Sequence, residues 1–323
     1  MTATPRDILA LSGGVGGAKL ALGLADVLAP GELHVLVNTG DDFTHLGLQI
    51  CPDIDTLLYT LAGRANQAQG WGLEGESWAT MDALEQLGGE TWFRLGDRDM
   101  ATHLWRSQQL RAGAQLSAVT SALALRMGIA SHVHPMTDDP VHTIVHTGRG
   151  DLPFQHYFVR DRCEPAVSGF SFDGIALAQP NVELMRRLHD GAFRAVLICP
   201  SNPFVSIDPI LQLPGLAAAL RAGSAPVVVV SPIVAGLALK GPAAKMMAEL
   251  GMGASALEVA RHYCEQYPGL MDCFVIDESD ATLAAEIGEL GVAVAVTSTV
   301  MKSRADKQDL ARFCLQACGS RQQ

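Results

Sequence analysis

Basic charge is scarce in this chain: 23 Lys and Arg stand against 34 Asp and Glu in 323 residues, a formal net charge of −11. Binding to DNA or RNA rests on clustered cations that neutralise phosphates, so a nucleic-acid partner is not expected. Anionic small ligands stay open, because a few local cations or a metal override the global field. No CxxC pair occurs among the seven cysteines, at 51, 163, 199, 264, 273, 314 and 318. Reduced, mostly buried thiols follow as the expectation. No run reaches the roughly 18 apolar residues of a membrane span. MTATPRDILAL carries no basic leader before a long apolar segment. A cytoplasmic protein with no membrane partner is the expectation. GxSxG elbows and catalytic-cysteine signatures are missing too, which argues against covalent acyl chemistry.

Short aliphatic runs are abundant: ILAL at 8–11, LHVLVN at 33–38, AVLIC at 195–199, PVVVVS at 226–231, CFVID at 273–277 and VAVAVT at 292–297. Runs of this length suit strands buried on both faces. Between them lie helical patterns such as AKLALGLADVL, VELMRRLHDG and ALEVARHYCEQY, most closing near glycine or proline. The alternation predicts a single α/β domain over 1–323 with a doubly wound, mostly parallel sheet. Residues 70–130 read as successive helices without a strand, a helical insertion. Residues 131–175, from HVHP to the FSFDG region, read as a small antiparallel β segment.

In ILALSGGVGGAKLALGL, a strand runs into four glycines in five positions, Gly13, Gly14, Gly16 and Gly17, and then a helix. Amides at a helix N-terminus favour a phosphate, and glycine lets the backbone approach it. The pattern is not a P-loop, since Lys19 is followed by Leu20 rather than Ser or Thr. The alternative is a tight turn with close helix packing.

The second strand leads into VNTGDDFTHLGLQICPDIDT, which places Asp41, Asp42, Asp53 and Asp55 within fifteen residues. Ligands of open sheets bind at the carboxyl ends of strands, so these acids and the glycine turn are expected to face one crevice. Carboxylates facing phosphates need a cation between them, and Mg²⁺ suits such a donor set. The alternative makes Asp53 the cap of a helix over IDTLLYTLAG and gives Asp41 to the turn.

All four tryptophans, 71, 78, 92 and 105, fall in the insertion. They are candidates for stacking a planar heterocycle or for filling a core. In FRLGDRDMATH, Arg94 and Arg98 offer planar forks for phosphate or ring oxygens, with Asp97 as an N-cap the alternative. CPSNPFVSIDP follows the AVLIC run directly, so Ser201 and Asn202 either read a base or ribose or shape a proline-rich turn. Ser231, Lys240 and Lys245 follow VVVV in the same manner. Five of the ten histidines, at 132, 134, 142, 146 and 156, lack zinc-helix spacing, and a metal there is not expected.

SGGVGGAKLALGL, VNTGDD, CPDIDTLLYTLAG, WGLEGESW, LGDRDMATH and CPSNPFVSIDPIL occur in one order along one chain. Together they resemble the 2-phospho-L-lactate transferase (CofD) family of coenzyme F-420 biosynthesis. The resemblance implies a Rossmann-like fold, a dimer, a Mg²⁺ cofactor and a guanylyltransferase that makes the donor. The implied reaction moves a phosphorylated three-carbon acid from a guanosine-diphosphate-linked donor to the deazaflavin Fo, releasing GMP.

Residue by residue, the resemblance assigns Asp55, Arg94 and Trp71 to Fo. It gives Asp41 and Asp55 to the metal, and the glycine turn with Ser201 and Asn202 to the donor. Lys19 and Arg98 would steady the transferring group, and Asp55 or Asp42 would take the proton. Asp41→Asn or Asp55→Asn is expected to abolish transfer and leave the fold intact. The alternative is a non-catalytic protein of the same fold that binds a nucleotide-sugar, which CPDIDT and LGDRD argue against. A generic NAD enzyme is disfavoured because LHVLVN closes in Asn38 instead of an acid.

Overall fold

In the computed structural model, which describes residues 7–66, 68–238 and 241–319, seven parallel strands form one sheet. They are β1 (Asp7–Ser12), β2 (Leu33–Val37), β3 (His132–Pro135), β4 (Phe193–Ile198), β5 (Val227–Val230), β6 (Cys273–Asp277) and β7 (Ala293–Thr297). The order across the sheet is β7-β6-β5-β4-β1-β2-β3, all parallel. This is the Rossmann-like order, and the strand sequence reverses direction between β1 and β4. Alternate residues of β1 feed two cores, Leu9 and Leu11 on one face and Ile8 and Ala10 on the other. That two-sided burial is why the strands read as unbroken aliphatic runs.

The insertion is helical as expected. After α1 (Gly14–Val27) and α2 (Pro52–Leu61), it contributes α3 (Ala79–Gln86), α4 (Asp97–Arg111) and α5 (Leu116–Arg126). Two features differ from the sequence reading. HVHP, assigned above to the antiparallel segment, is instead the parallel edge strand β3 beside β2. Its single aliphatic residue, Val133, hides the signal, and Pro135 is tolerated at an edge where an N–H is dispensable. The antiparallel sheet proper has His142–Thr147 between Gly150–Pro153 and Val167–Asp173. An unanticipated hairpin also pairs Phe43–His45 with Leu48–Ile50. Its turn puts Leu46 at φ 52° and Gly47 at φ 74°, and leucine in the first position masks the usual turn signature. Among the described residues no single helix is long and apolar enough to cross a membrane.

Close approach explains two of the glycines. A Cβ on Gly16 would fall well inside contact distance of the Pro200 carbonyl oxygen, and one on Gly17 would meet the hydroxyls of Ser12 and Ser201. The first turn of α1 therefore seats directly on the loop after β4. Alanine at position 16 would add about 1 kcal/mol of helix propensity. Against that, overpacking on immobile backbone costs about 1–3 kcal/mol. Gly16→Ala is therefore expected to lower the urea midpoint, and an unchanged or higher midpoint would contradict this packing.

Candidate functional site

At the point where the strand order reverses, three loops converge: Gly13–Gly17 after β1, 38–42 after β2 and 199–207 after β4. Asn38 ties them together. Its carbonyl oxygen accepts the Gly40 amide at 2.8 Å, and its amide nitrogen donates to Asp53 Oδ2 at 3.0 Å and to the Val205 carbonyl at 3.2 Å. Ser201 Oγ accepts the Gly13 amide at 3.1 Å.

Asp53 does not cap its own helix. Its Oδ1 accepts the Gly14 amide at 2.7 Å, so an internal carboxylate already sits at the N-terminus of α1. The glycine turn thus combines both sequence readings, a site of close packing and an anion-binding helix start, with its first amide committed to Asp53.

The four acids are buried, each with 5–7% of its surface exposed, and their environments differ. Burial raises the Asp53 carboxyl to about 6, against the hydrogen bonds from Asn38 and Gly14 that favour its charged form. Burial, with the neighbouring charges of Asp53 and Asp42, pushes Asp41 well above the usual carboxylate range. Asp42 is pushed up in the same sense, mainly by burial, and Arg106 opposes the shift. One oxygen each of Asp41 and Asp42 has no hydrogen-bond partner among the described residues, and neither does the Thr39 hydroxyl beside them. Buried polar atoms are nearly always satisfied, so such a concentration around one loop fits a cation bound there. Hard oxygen donors of this kind suit Mg²⁺.

Asp55 is placed otherwise. Both guanidinium amines of Arg106 donate to its two carboxylate oxygens, Nη1 at 2.9 Å to Oδ2, and Arg106 is completely buried. Asp55, Asp99 and His103 lie close enough together to share a cation, but Asp55 is occupied by this fork and Asp99 Oδ1 accepts the Tyr59 hydroxyl at 2.5 Å. The sequence reading missed Arg106. The signal was present: Asp99, His103 and Arg106 recur at i, i+4 and i+7 of one helix, a single face. Asn38 was noted only for not being acidic.

The remaining candidates are dispersed. Arg94 pairs with Asp82 at 2.8 Å in an exposed bridge and lies over the Trp78 ring, with Trp71 edge-on to Trp78 and 46% exposed. Arg98 Nη1 donates to the Glu74 carbonyl at 3.2 Å. Asp97 caps the preceding helix α3 through the Ala79 and Thr80 amides, while Glu76 accepts the Arg98 and Asp99 amides at the start of α4. The GDRD stretch is thus a reciprocal clasp between two helices rather than a self-capped start.

Lys19 Nζ donates to the Met301 carbonyl at 3.2 Å. Asn202 shapes its turn, accepting the Phe204 and Val205 amides, and the Ser231 hydroxyl bonds to Ile233. Lys245 pairs with Glu249 at 2.5 Å. Lys240 lies outside the described residues. The five histidines part company: 132 and 134 stack on His34, 142 contacts the Asp42 carbonyl, 146 pairs with Asp151 and 156 meets Trp92.

These environments separate two mutations. Asp41→Asn removes a buried, poorly compensated carboxyl group. In chelator it is expected to raise the thermal midpoint, as functional sites held at a cost to stability do. Asp55→Asn strands a buried guanidinium, which costs about 3–5 kcal/mol. The expectation above that Asp55→Asn leaves the fold intact is corrected accordingly. Calorimetry showing the opposite order would contradict these assignments.

The family model described as 2-phospho-L-lactate transferase CofD matches residues 8–308. A phosphoenolpyruvate transferase of Kitasatospora aureofaciens is 38% identical over 314 residues, covering 95% of this chain and 96% of that protein. A 2-phospho-L-lactate transferase of Methanosarcina mazei is 36% identical over 310 residues, covering 96% and 100%. A phosphoenolpyruvate transferase of Thermobifida fusca is 41% identical over 287 residues, covering 85% and 87%. Among solved structures, a upf0052 family protein of Bacillus halodurans superposes with a TM-score of 0.64 at 13% identity, covering 97% of this chain and 100% of that one, a likeness of fold.

Proposed function

Because the chain belongs to the 2-phospho-L-lactate transferase CofD family, we propose that it moves a phosphorylated three-carbon acid from a guanosine-diphosphate-linked donor to the ribityl hydroxyl of Fo, releasing GMP. The observation that carries this reading is the loop 38–42. There, buried carboxylates with unsatisfied oxygens stand beside a glycine-rich helix start at the crevice where open sheets bind nucleotides. Fo, the guanosine-linked donor, GMP release and Mg²⁺ are each part of the proposal. The three-carbon acid is left as lactate-, enolpyruvate- or glycerate-derived.

The donor's diphosphate lies along the remaining amides at the start of α1, beside Ser201. Asp41 and Asp53 would hold Mg²⁺, and Asp55 stays with Arg106. A bound Mg²⁺ neutralises charge on the transferring group. The Fo hydroxyl oxygen forms the new bond to the phosphorus that carries the acid, the bond from that phosphorus to the GMP oxygen breaks, and GMP leaves. Asp42 takes the hydroxyl proton. Burial raises its proton affinity, the sense a general base needs, whereas the Asp55 oxygens are committed to a guanidinium. The planar ring of Fo is received on the insertion side, where Arg94, Trp71 and Trp78 gather at the surface. Lys19 and Arg98 reach phosphate oxygens only by leaving their carbonyl partners.

Incubation with Fo, GTP, Mg²⁺, the partner guanylyltransferase and each phosphorylated acid in turn, followed by mass spectrometry of the product, tests the reaction. A mass gain on Fo with one acid is expected; no adduct with any of them contradicts it. Asp42→Asn is expected to lower kcat by about 10²–10⁴-fold, the usual contribution of a general base. Activity within about threefold of wild type would remove that role.

The raised Asp53 carboxyl gives a pH dependence with a definite sign. Its folded value of about 6 exceeds the ordinary 3.8, so the folded protein holds the extra proton. Its contribution to stability therefore declines as pH rises from about 4 through about 6. Mg²⁺ competes with that proton. Its affinity is expected to fall as pH drops through about 6, with protons released on binding. Titration calorimetry at pH 6 in two buffers of different ionisation enthalpy reads the release, and identical heats in both would contradict it.

A further inference from the structure

Helix α2 carries two acids two residues apart that face different partners: Asp53 meets the glycine turn, and Asp55 meets the insertion. On the insertion side the contact is a buried polar ladder between α2 and α4. Arg106 forks onto Asp55. His103 stands 3.6 Å from Asp55 Oδ2 through Nδ1 and 3.2 Å from Asp99 Oδ1 through Nε2. Tyr59, one turn beyond Asp55 on α2, donates back to Asp99. Ser107 Oγ accepts the Gln49 amide at 2.7 Å, which adds the hairpin strand to the same seam.

A buried ion pair is a weak stabiliser compared with apolar packing of the same volume, and its best-attested use is to fix register. A hydrophobic seam would hold α4 with some freedom to slide. A two-bond planar fork admits one position.

We propose that Arg106 is a positioning residue: its fork on Asp55 fixes the helical insertion, and with it the acceptor-binding face, in register with the cation-binding loop 38–42. In this role Arg106, completely buried, acts through Asp55 and not on substrate or metal. Asp55 is its anchor, not a metal ligand. The inference rests on the reading above in taking the insertion as the acceptor side and the loop 38–42 as the cation site.

Arg106→Lys keeps the charge and loses the fork, so it separates register from electrostatics. The expected result is an acceptor KM raised about tenfold or more with donor KM within about threefold. Mn²⁺ affinity, measured by electron paramagnetic resonance on the protein alone, is expected to stay within about threefold as well. Amide exchange in 97–111 should quicken, since the helix loses its one-position lock.

Mn²⁺ affinity that falls in step with the rise in acceptor KM would overturn the proposal, because Arg106 would then act on the cation site. Unchanged acceptor KM with unchanged exchange would overturn it equally. A wild-type protein that transfers nothing would refute the proposed reaction instead, and exchange together with Mn²⁺ affinity would still decide the role of Arg106. Should the lysine variant not fold, the double variant Asp55→Asn, Arg106→Gln removes both buried charges, and Mn²⁺ affinity is read on it. Retention is expected. A loss of tenfold or more, about 1.4 kcal/mol, would return Asp55 to the metal and overturn the proposal.

Discussion

Four carboxylates buried within one small region repel one another and lose their hydration, and the architecture around the crevice is organised by how each is compensated. Asp55 receives a whole guanidinium from the insertion. Asp53 receives a helix-start amide and the Asn38 amide. Asp41 and Asp42 keep oxygens with no partner among the described residues. The first is internal and permanent, and the second leaves lone pairs on the Asp53 oxygens for a cation beside them. The last is left to what binds, and a hard divalent cation with phosphate oxygens supplies the missing charge and ligands together.

The same compensations hold the tertiary structure around the site. Meeting Asp53 brings the start of α1 onto α2, and meeting Asp55 brings α4 onto α2, so a single helix turn sets both walls. Gly16 and Gly17 let α1 seat against Pro200, Ser12 and Ser201 without side chains intervening, and Asn38 pins the acidic loop to the loop after β4. An arrangement that stores repulsion in this way costs stability in the absence of ligand, which is the usual condition of sites that act on charged groups.

The doubly wound sheet was legible because residues such as those of β5, VVVV, and β6, CFVID, are buried on both faces and must be apolar throughout. β3 was not, because HVHP offers one aliphatic residue at a sheet edge. The glycine turn and the acids of TGDD and PDID were legible as a crevice, since residue type and strand-end position together restrict their chemistry. Their division of labour was not. Which acid meets Arg106 depends on a helix some fifty residues away, and pairing across that distance leaves no local pattern beyond the spacing of Asp99, His103 and Arg106. Asp97 and Glu76 illustrate the same limit: capping was foreseen, but the exchange of caps between two helices is a tertiary event. The resemblance to the family was carried by the order of the motifs, and the family match across residues 8–308 bears it out.

In the proposed site the cation belongs to the loop 38–42 facing the glycine turn, with Asp55 reserved for the insertion. Anomalous scattering from crystals grown with Mn²⁺ and GDP locates the ion directly. One peak is expected between the Asp41 carboxylate and the diphosphate at the start of α1, with Arg106 still forked on Asp55. A peak among Asp55, Asp99 and His103, with Arg106 displaced, would contradict it.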